Sequence, residues 1–403
     1  MISCYNIFKK VILMKSFILF FLSITSLHTI EMTDYRTIYG QYDEAYVNGS
    51  LKATTGNQEQ SSYDTLLNAN TRTIYTTAVY SFDFNVKGDL GLSQGEDKNS
   101  SQKSSYHGFS SLRYDRYLDY DNLFIYGGGD VGYRKEQTST QADNIFSKVG
   151  LGIGYGRVYN ATPLAIALRI VEELQRYQVL KQELSDVDLL KLAKIIGTKD
   201  NYISKYGLEN YKKYWFLDME KLFKEAKVSY QEHLGAVGIL KMEEVLEIEK
   251  VSGRLHGWKI RGGVGRVISS YDGEGESSTT DMEFSYGLPV GYESQFIENA
   301  LLSKNLYNNS PIDFSFENSM SYTYEITDII DWEMKWNFYY NKYYKGDDIV
   351  KNRVTLGFRY YLANSLTLDT TISLNKIDGT NGNSIETPEW DGDLFVGVHY
   401  RLK

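Results

Sequence analysis

The chain has 403 residues, with 35 Tyr and 34 Gly against 4 Pro, and a formal net charge of -9 at pH 7. A pI near 5.3 with no basic stripe argues against nucleic acid as a partner. Mean hydropathy is -0.39, and no stretch reaches the roughly 18 uninterrupted apolar residues of a membrane helix, while Tyr- and Gly-rich, Pro-poor composition suits long pleated strands.

Residues 1–26 read as a secretory signal. Lys9, Lys10 and Lys15 form a positive n-region, the run from Phe17 to Ile24 is an h-region, and small polar residues follow. Cys4 is the only cysteine and lies inside this segment, so the exported chain would have no disulfide, zinc–thiolate site or thiol nucleophile. Residues 27–70 are polar and weakly patterned, with a candidate first strand over 46–55.

The stretch "TRTIYTTAVYSFDFNVKGDLGL", residues 71–92, alternates over far more than the ~5–6 residues of an ordinary strand. Ile74, Tyr80, Phe82, Phe84, Val86, Leu90 and Leu92 share one parity, and Thr73, Ser81, Asp83, Asn85, Lys87 and Asp89 the other. Residues 106–117 and 122–133 read as a hairpin joined by "LDYDN". Residues 146–157 set Val149, Leu151, Ile153 and Tyr155 against Gly150, Gly152, Gly154 and Gly156, a face without side chains. Residues 71–158 are taken as the first half of a barrel.

Residues 159–252 break the rhythm with helical patterns. Thr162 is the expected N-cap with Pro163 at the first helical position, and Ser185 caps a second helix that ends on Gly197. The segment 161–250 holds 14 basic and 15 acidic residues, so it is no electrostatic lure. The apolar helix from Pro163 is expected to pack into the lumen against the glycine face, to which Gly128, Gly132, Gly257, Gly263 and Gly265 would add; barrel curvature is the competing reason for these glycines. Tyr214, Trp215, Phe216, Met219, Leu222 and Phe223 read either as helix–helix core or as a docking surface for a periplasmic protein within residues 163–250.

Residues 253–403, the second half, alternate most clearly at 312–326, 329–341, 350–362 and 366–375. About twelve antiparallel strands (10–14) emerge in all. One continuous apolar face and one charged face over such lengths fit a transmembrane barrel, with apolar side chains toward lipid and polar ones toward the lumen. Lys259, Arg261, Asp281, Glu283, Asp313, Glu317, Asp331, Glu333, Lys335, Lys351, Arg353 and Arg359 fall on the inward parity. Rings of such charges select solutes by sign, whereas in a filled interior they would only pair with one another. Tyr114, Tyr117, Tyr322, Tyr324, Trp332, Tyr339, Tyr340, Tyr360 and Tyr361 near strand ends suit interfacial girdles.

The closing "FVGVHYRLK" then resembles the C-terminal assembly signal of Gram-negative outer-membrane β-barrel proteins, with Gly397, Tyr400 and Leu402 at its spacing; Leu402 stands where that family has an aromatic, and Lys403 follows it. The resemblance implies the bacterial outer membrane, surrounding lipid, and the barrel-assembly machinery as a partner. "GLGIGYGR" is not a dinucleotide loop, because Tyr155 or Arg157 occupies the last glycine position. His107, His233, His256 and His399 show no metal-ligand spacing, so no metal or cofactor is expected. The expected function is a porin-like channel for small hydrophilic solutes, narrowed or plugged by the insertion and not an enzyme. A scaffold or export component is the alternative, and an outer-membrane lipid hydrolase the third.

Overall fold

A computed structural model describes residues 30–37, 40–54, 59–98, 100–118, 122–136, 142–248, 252–271, 273, 277–307, 312–363, 366–381, 384–385 and 390–401. The signal segment 1–26, Cys4 and Leu402 lie outside the described residues.

Fourteen antiparallel strands close into one barrel. They are β1 (Gly40–Thr54), β2 (Ser62–Thr76), β3 (Tyr80–Gln94), β4 (Lys103–Tyr117), β5 (Leu123–Lys135), β6 (Phe146–Asn160) and β7 (Leu255–Ser269). After these come β8 (Ser277–Val290), β9 (Ser294–Asn305), β10 (Ile312–Thr327), β11 (Ile330–Tyr343), β12 (Ile349–Ala363), β13 (Leu366–Asp378) and β14 (Trp390–Arg401). Each pairs with the next, and Tyr46–Gly49 of β1 closes the ring against Val398–Arg401 of β14. A two-residue hairpin, Thr380–Asn381 with Ser384–Ile385, decorates the last loop.

The count is fourteen where twelve were expected, and both missing strands have a reason. The alternation of 71–92 is not one strand: Thr76 pairs with Ser81 across a turn at 77–79, where the Thr77 amide donates to the Tyr80 carbonyl. The turn swaps parity, so Ile74 shares the inner face with Asp83, and its β2 half extends back through polar residues to Ser62. In β9, Phe296, Ile297, Leu301 and Leu302 put bulky residues on both faces and hide the period of two.

The wall is apolar outside. Leu151, Ile153 and Leu394 stand 66%, 64% and 71% exposed on it. Aromatic pairs ring both ends: Tyr75–Tyr80, Tyr80–Tyr114, Tyr155–Trp258 and Tyr322–Trp332 at one, Tyr106–Tyr133 and Phe314–Tyr340 at the other. Tyr117, Tyr339 and Tyr361, expected in these girdles, instead have inward register. No helix among the described residues is long and apolar enough to cross a membrane. The closed antiparallel barrel that the alternation implies is the one the chain adopts.

The two ends differ. At one, strands are joined by 77–79, 118–122, 291–293, 328–329 and 364–365; at the other, by 55–61, 95–102, 136–145, 270–276, 306–311, 344–348 and 379–389. Six strands precede the helical insertion and eight follow it, so it emerges at the short-turn end, with the start of β1 and the end of β14.

The insertion comprises α1 (Thr162–Arg176), α2 (Asp186–Gly197), α3 (Lys199–Ala226) and α4 (Gly235–Glu243), which continues as a π-helical turn, Glu244–Ile248. The α1 N-cap is Ala161, one residue before expectation, because Asn160 Oδ1 already accepts from the Thr162 amide. Ser185 caps α2 as expected, accepting from the Asp188 amide. At Gly207 (φ +75) α3 folds back, so that Tyr206 stacks on Tyr214 and the Tyr202 hydroxyl donates to Asp218. The helices share one apolar core, which includes Trp215, Phe216, Met219, Leu222 and Phe223 and also Ile30, Met32 and Tyr35 from before β1. The aromatic row of α3 is thus interior, and only Tyr214 of its members is exposed.

Candidate functional site

Strand register fixes which side chains share the lumen face, because paired residues point the same way. The inward rows run Asp115–Tyr126–Gly152–Gly263–Asp281 and Tyr117–Phe124–Gly154–Arg261–Glu283 across β4 to β8. On the far wall they run Glu317–Tyr339–Lys351, Lys335–Thr355–Ser373 and Asp331–Arg359–Asp369 across β10 to β13. Lys259, Glu333 and Arg353 keep the same parity. Asp313 departs from this set: β10 slips register between Ile312 and Phe314, and the Asp313 carboxylate accepts from Lys304 Nζ at 3.0 Å near the long-loop rim.

The glycines do lie inward, but side chains from the barrel itself, not a helix, cover them. A Cβ at Gly152 would stand 2.7 Å from Tyr126 Cε1 and 2.3 Å from the Gly262 carbonyl oxygen. One at Gly154 would stand 2.2 Å from Phe124 Cζ, and one at Gly263 2.6 Å from the Tyr126 hydroxyl. The expected seat of the helix from Pro163 is therefore filled by Phe124 and Tyr126 of β5. Gly150 has only backbone at 3.4 Å, and a Cβ at Gly265 would meet Asp281, Lys148 and Thr279. Gly156, at φ +100, takes a backbone that L side chains rarely adopt. Beyond it Arg157 bonds the carbonyls of Thr77 and Ala78 and lies 3.6 Å over the Tyr117 ring.

Above the β6 glycines and the Phe124 and Tyr126 rings that cover them, charges bond across the intervening strands. Asp115 of β4, 1% exposed, accepts from Arg261 Nε, Arg261 Nη2 and Lys259 Nζ of β7, each at 2.9 Å. Arg113 holds Asp130 at 2.7 Å and reaches Glu283 of β8 at 3.1 Å, and Arg261 takes the other Glu283 oxygen at 2.9 Å. Lys148 pairs with Asp281 at 2.7 Å. Arg72–Asp83 and Arg359–Asp369 continue the belt at 2.8 and 3.2 Å. Sequence reading missed Asp115, Arg113, Arg72, Lys148 and Asp369 as lumen groups, although alternation on their own strands marks them.

Enclosed by this belt is a cavity of ≈ 410 Å³, bordered by Arg72, Asp83, Lys259, Arg261, Glu333 and Arg359 among many Ser, Thr and Asn side chains. It extends to Thr37, Asn160 and Ser252 at the short-turn mouth. There the segment before β1 crosses the opening. Tyr35 offers its carbonyl to His256 Nε2 of β7 at 2.9 Å, and β7 lies six strands from β1 in a ring of fourteen, nearly opposite. The Tyr35 side chain is buried against the helical unit with its hydroxyl bonded to the Ala193 carbonyl, and burial pushes its pKa up to about 12.

The insertion is fixed to the rim by a buried charge cluster. Glu325, at the end of β10, accepts from Arg254 Nη2 at 2.6 Å, the Ser252 amide at 2.9 Å and Arg169 Nη2 of α1 at 3.1 Å. Arg254, fully buried, also donates to the Tyr292 carbonyl at 2.7 Å, while Arg169 reaches Asp328 in the next turn. Tyr292 donates to Glu172 of α1 at 2.9 Å. No group of three or more acidic, His or Cys side chains that could hold a metal is present among the described residues. His107 lies against Asp89 and Tyr271, and His233 against Glu220.

No family model matches the chain, and no curated protein matches it. Solved structures do. OccAB1 of Acinetobacter baumannii is 9% identical at a TM-score of 0.32, over 92% of this chain and 98% of that one. An outer membrane channel of Pseudomonas putida F1 is 7% identical at 0.33, over 93% and 100%. OccK2 of Pseudomonas aeruginosa, solved in complex with glucuronate, is 9% identical at 0.33, over 91% and 98%.

Proposed function

We propose that the chain is an outer-membrane channel for small hydrophilic solutes, with its short-turn end in the periplasm. The carrying observation is the charged cavity of ≈ 410 Å³ inside a closed wall whose outer face is apolar. A barrel meant only as a scaffold has no need of such a space, since small barrels fill with side chains. Short turns on the periplasmic side and longer loops outside are the usual arrangement. The helical unit and the segment through Tyr35 narrow the periplasmic mouth from outside the glycine wall. Lys259, Arg261, Glu283, Asp331, Glu333 and Arg359 set the charge that a passing solute meets.

Purified full-length protein in a planar bilayer is expected to give discrete conductance steps. A properly inserted barrel that passes no current overturns the reading. A second reading, a periplasmic docking platform, draws on Leu208 and Leu217 of α3, which stand 76% and 48% exposed. It would be favoured by a specific periplasmic protein retained by the full chain and released when both leucines become serine.

A further inference from the structure

Seven of the lumen cations, Arg72, Arg113, Arg134, Lys148, Lys259, Arg261 and Arg359, are paired with a carboxylate. Several others have no such pairing among the described residues, and two of these are facing lysines. Lys87 of β3 and Lys335 of β11 both have inward register, and their strands lie six apart in the ring of fourteen, on nearly opposite walls. Neither has an ion pair or hydrogen bond among the described residues. Both are exposed to the lumen, and the charges acting on Lys87 are Lys335 and Arg72, of like sign, and Asp89, of opposite sign. Beside Lys335 the wall is built of donors. Thr355 and Ser373 follow it in register, their hydroxyls 3.2 Å apart, and Ser373 is 4% exposed. Arg353 has no carboxylate partner among the described residues and donates instead to Ser373 Oγ at 3.3 Å.

We propose that Lys87 and Lys335, with Arg353 and the Thr355 and Ser373 hydroxyls, form a mid-lumen site for a small oxyanion-bearing solute, a carboxylate or a phosphate. Two ammonium groups facing one another across the lumen repel, and an anion between them relieves the repulsion. Hydroxyls and a guanidinium on one wall supply the directional bonds that a carboxylate or phosphate accepts. Glu333, next toward the short turns on β11, and Asp89, next toward the long loops on β3, bound the site axially. An anion is therefore held at one level and released beyond it. This inference deepens the channel reading and rests on it for the meaning of the site, though not for its existence.

The test uses full-length protein in detergent at low ionic strength, titrated calorimetrically with succinate and with inorganic phosphate. Wild type should bind one or both saturably, and the arm that binds identifies the oxyanion. The double variant K87Q/K335Q should lose at least tenfold in affinity, while K87R, which keeps the charge, should bind as wild type does. In a planar bilayer with a KCl gradient, the double variant should shift the reversal potential toward cation preference. No saturable binding of either anion to wild type, or unchanged affinity in the double variant, overturns the site. Binding without conductance retains the site and removes the channel; conductance without binding does the reverse.

Discussion

Asp115 of β4 and Arg261 of β7 are joined by two hydrogen bonds of 2.9 Å, although two strands separate them in the wall. Of the two intervening strands, β6 has only Gly152 and Gly154 at the inward positions, and the Tyr126 and Phe124 rings of β5 lie down over those glycines. Asp115→Asn would leave Arg261 and Lys259 without their main counter-charge in a buried setting. A loss of about 3–5 kcal/mol is expected, because breaking one partner of a buried pair strands the other. Urea unfolding of the detergent-solubilised barrel measures it, and a loss below about 1 kcal/mol would show that water already screens the pair.

The glycine wall makes a second prediction about packing. Gly154→Ala puts a methyl group 2.2 Å from Phe124 Cζ and 2.6 Å from the Ile260 carbonyl oxygen, whereas a Cβ on outward Gly127 has its nearest neighbour at 4.0 Å. The first should cost roughly 1–3 kcal/mol and the second close to nothing. Adding Phe124→Leu should recover part of the loss only, since the backbone contact remains. Unfolding midpoints of the three variants check the order.

Architecture was legible because a wall with an apolar outer face and a polar inner one imposes a strict period of two, and that period survives in the second half almost intact. It failed where polar or bulky residues occupy both faces, as in β9, and where a tight turn preserves the look of alternation, as at 77–79. The lumen charges were legible as a parity but not as pairs. That Asp115 meets Arg261 depends on the β6 glycines letting the Phe124 and Tyr126 rings lie flat between them, a property of the paired strands. The sequence showed the glycines as one face without side chains, open to close approach or to curvature, but not that Phe124 and Tyr126 would lie over Gly152 and Gly154.

Tyr35 ties the segment before β1 to both the helical unit and the far wall. Replacing Tyr35 with Ala removes a buried ring and the hydroxyl bond to Ala193. On the channel reading this loosens the strap across the mouth, so unitary conductance or open probability should rise. Removing residues 30–37 altogether should raise it further. Conductance unchanged in both would mean that the strap does not limit flow.

Glu325 accepts from both Arg254 and Arg169, one from each end of the insertion. Glu325→Gln leaves both guanidiniums buried, with Asp328 remaining as an acid partner of Arg169 but not of Arg254 among the described residues. The helical unit should then be cut by protease at the 252–254 junction while the barrel still shows its heat-dependent shift on gels. Equal protection of variant and wild type would show that the shared apolar core alone holds the unit in place.

The helical unit also carries a pH dependence with a definite sign. Glu173 of α1 is 3% exposed, and burial raises its carboxyl pKa above the ordinary value, with Arg176 at 2.6 Å only partly offsetting this. A raised folded-state pKa means that the folded unit binds this proton more tightly than the unfolded chain. The contribution is complete below the ordinary carboxylate range and is lost as pH rises through the raised value. Glu173→Gln cannot ionise and escapes the loss. The variant should therefore resist proteolysis of the helical unit better than wild type at pH 8, by on the order of 1 kcal/mol in opening free energy, and the advantage should vanish toward pH 4. An advantage that is the same at both pH values would assign the gain to packing and not to the buried charge.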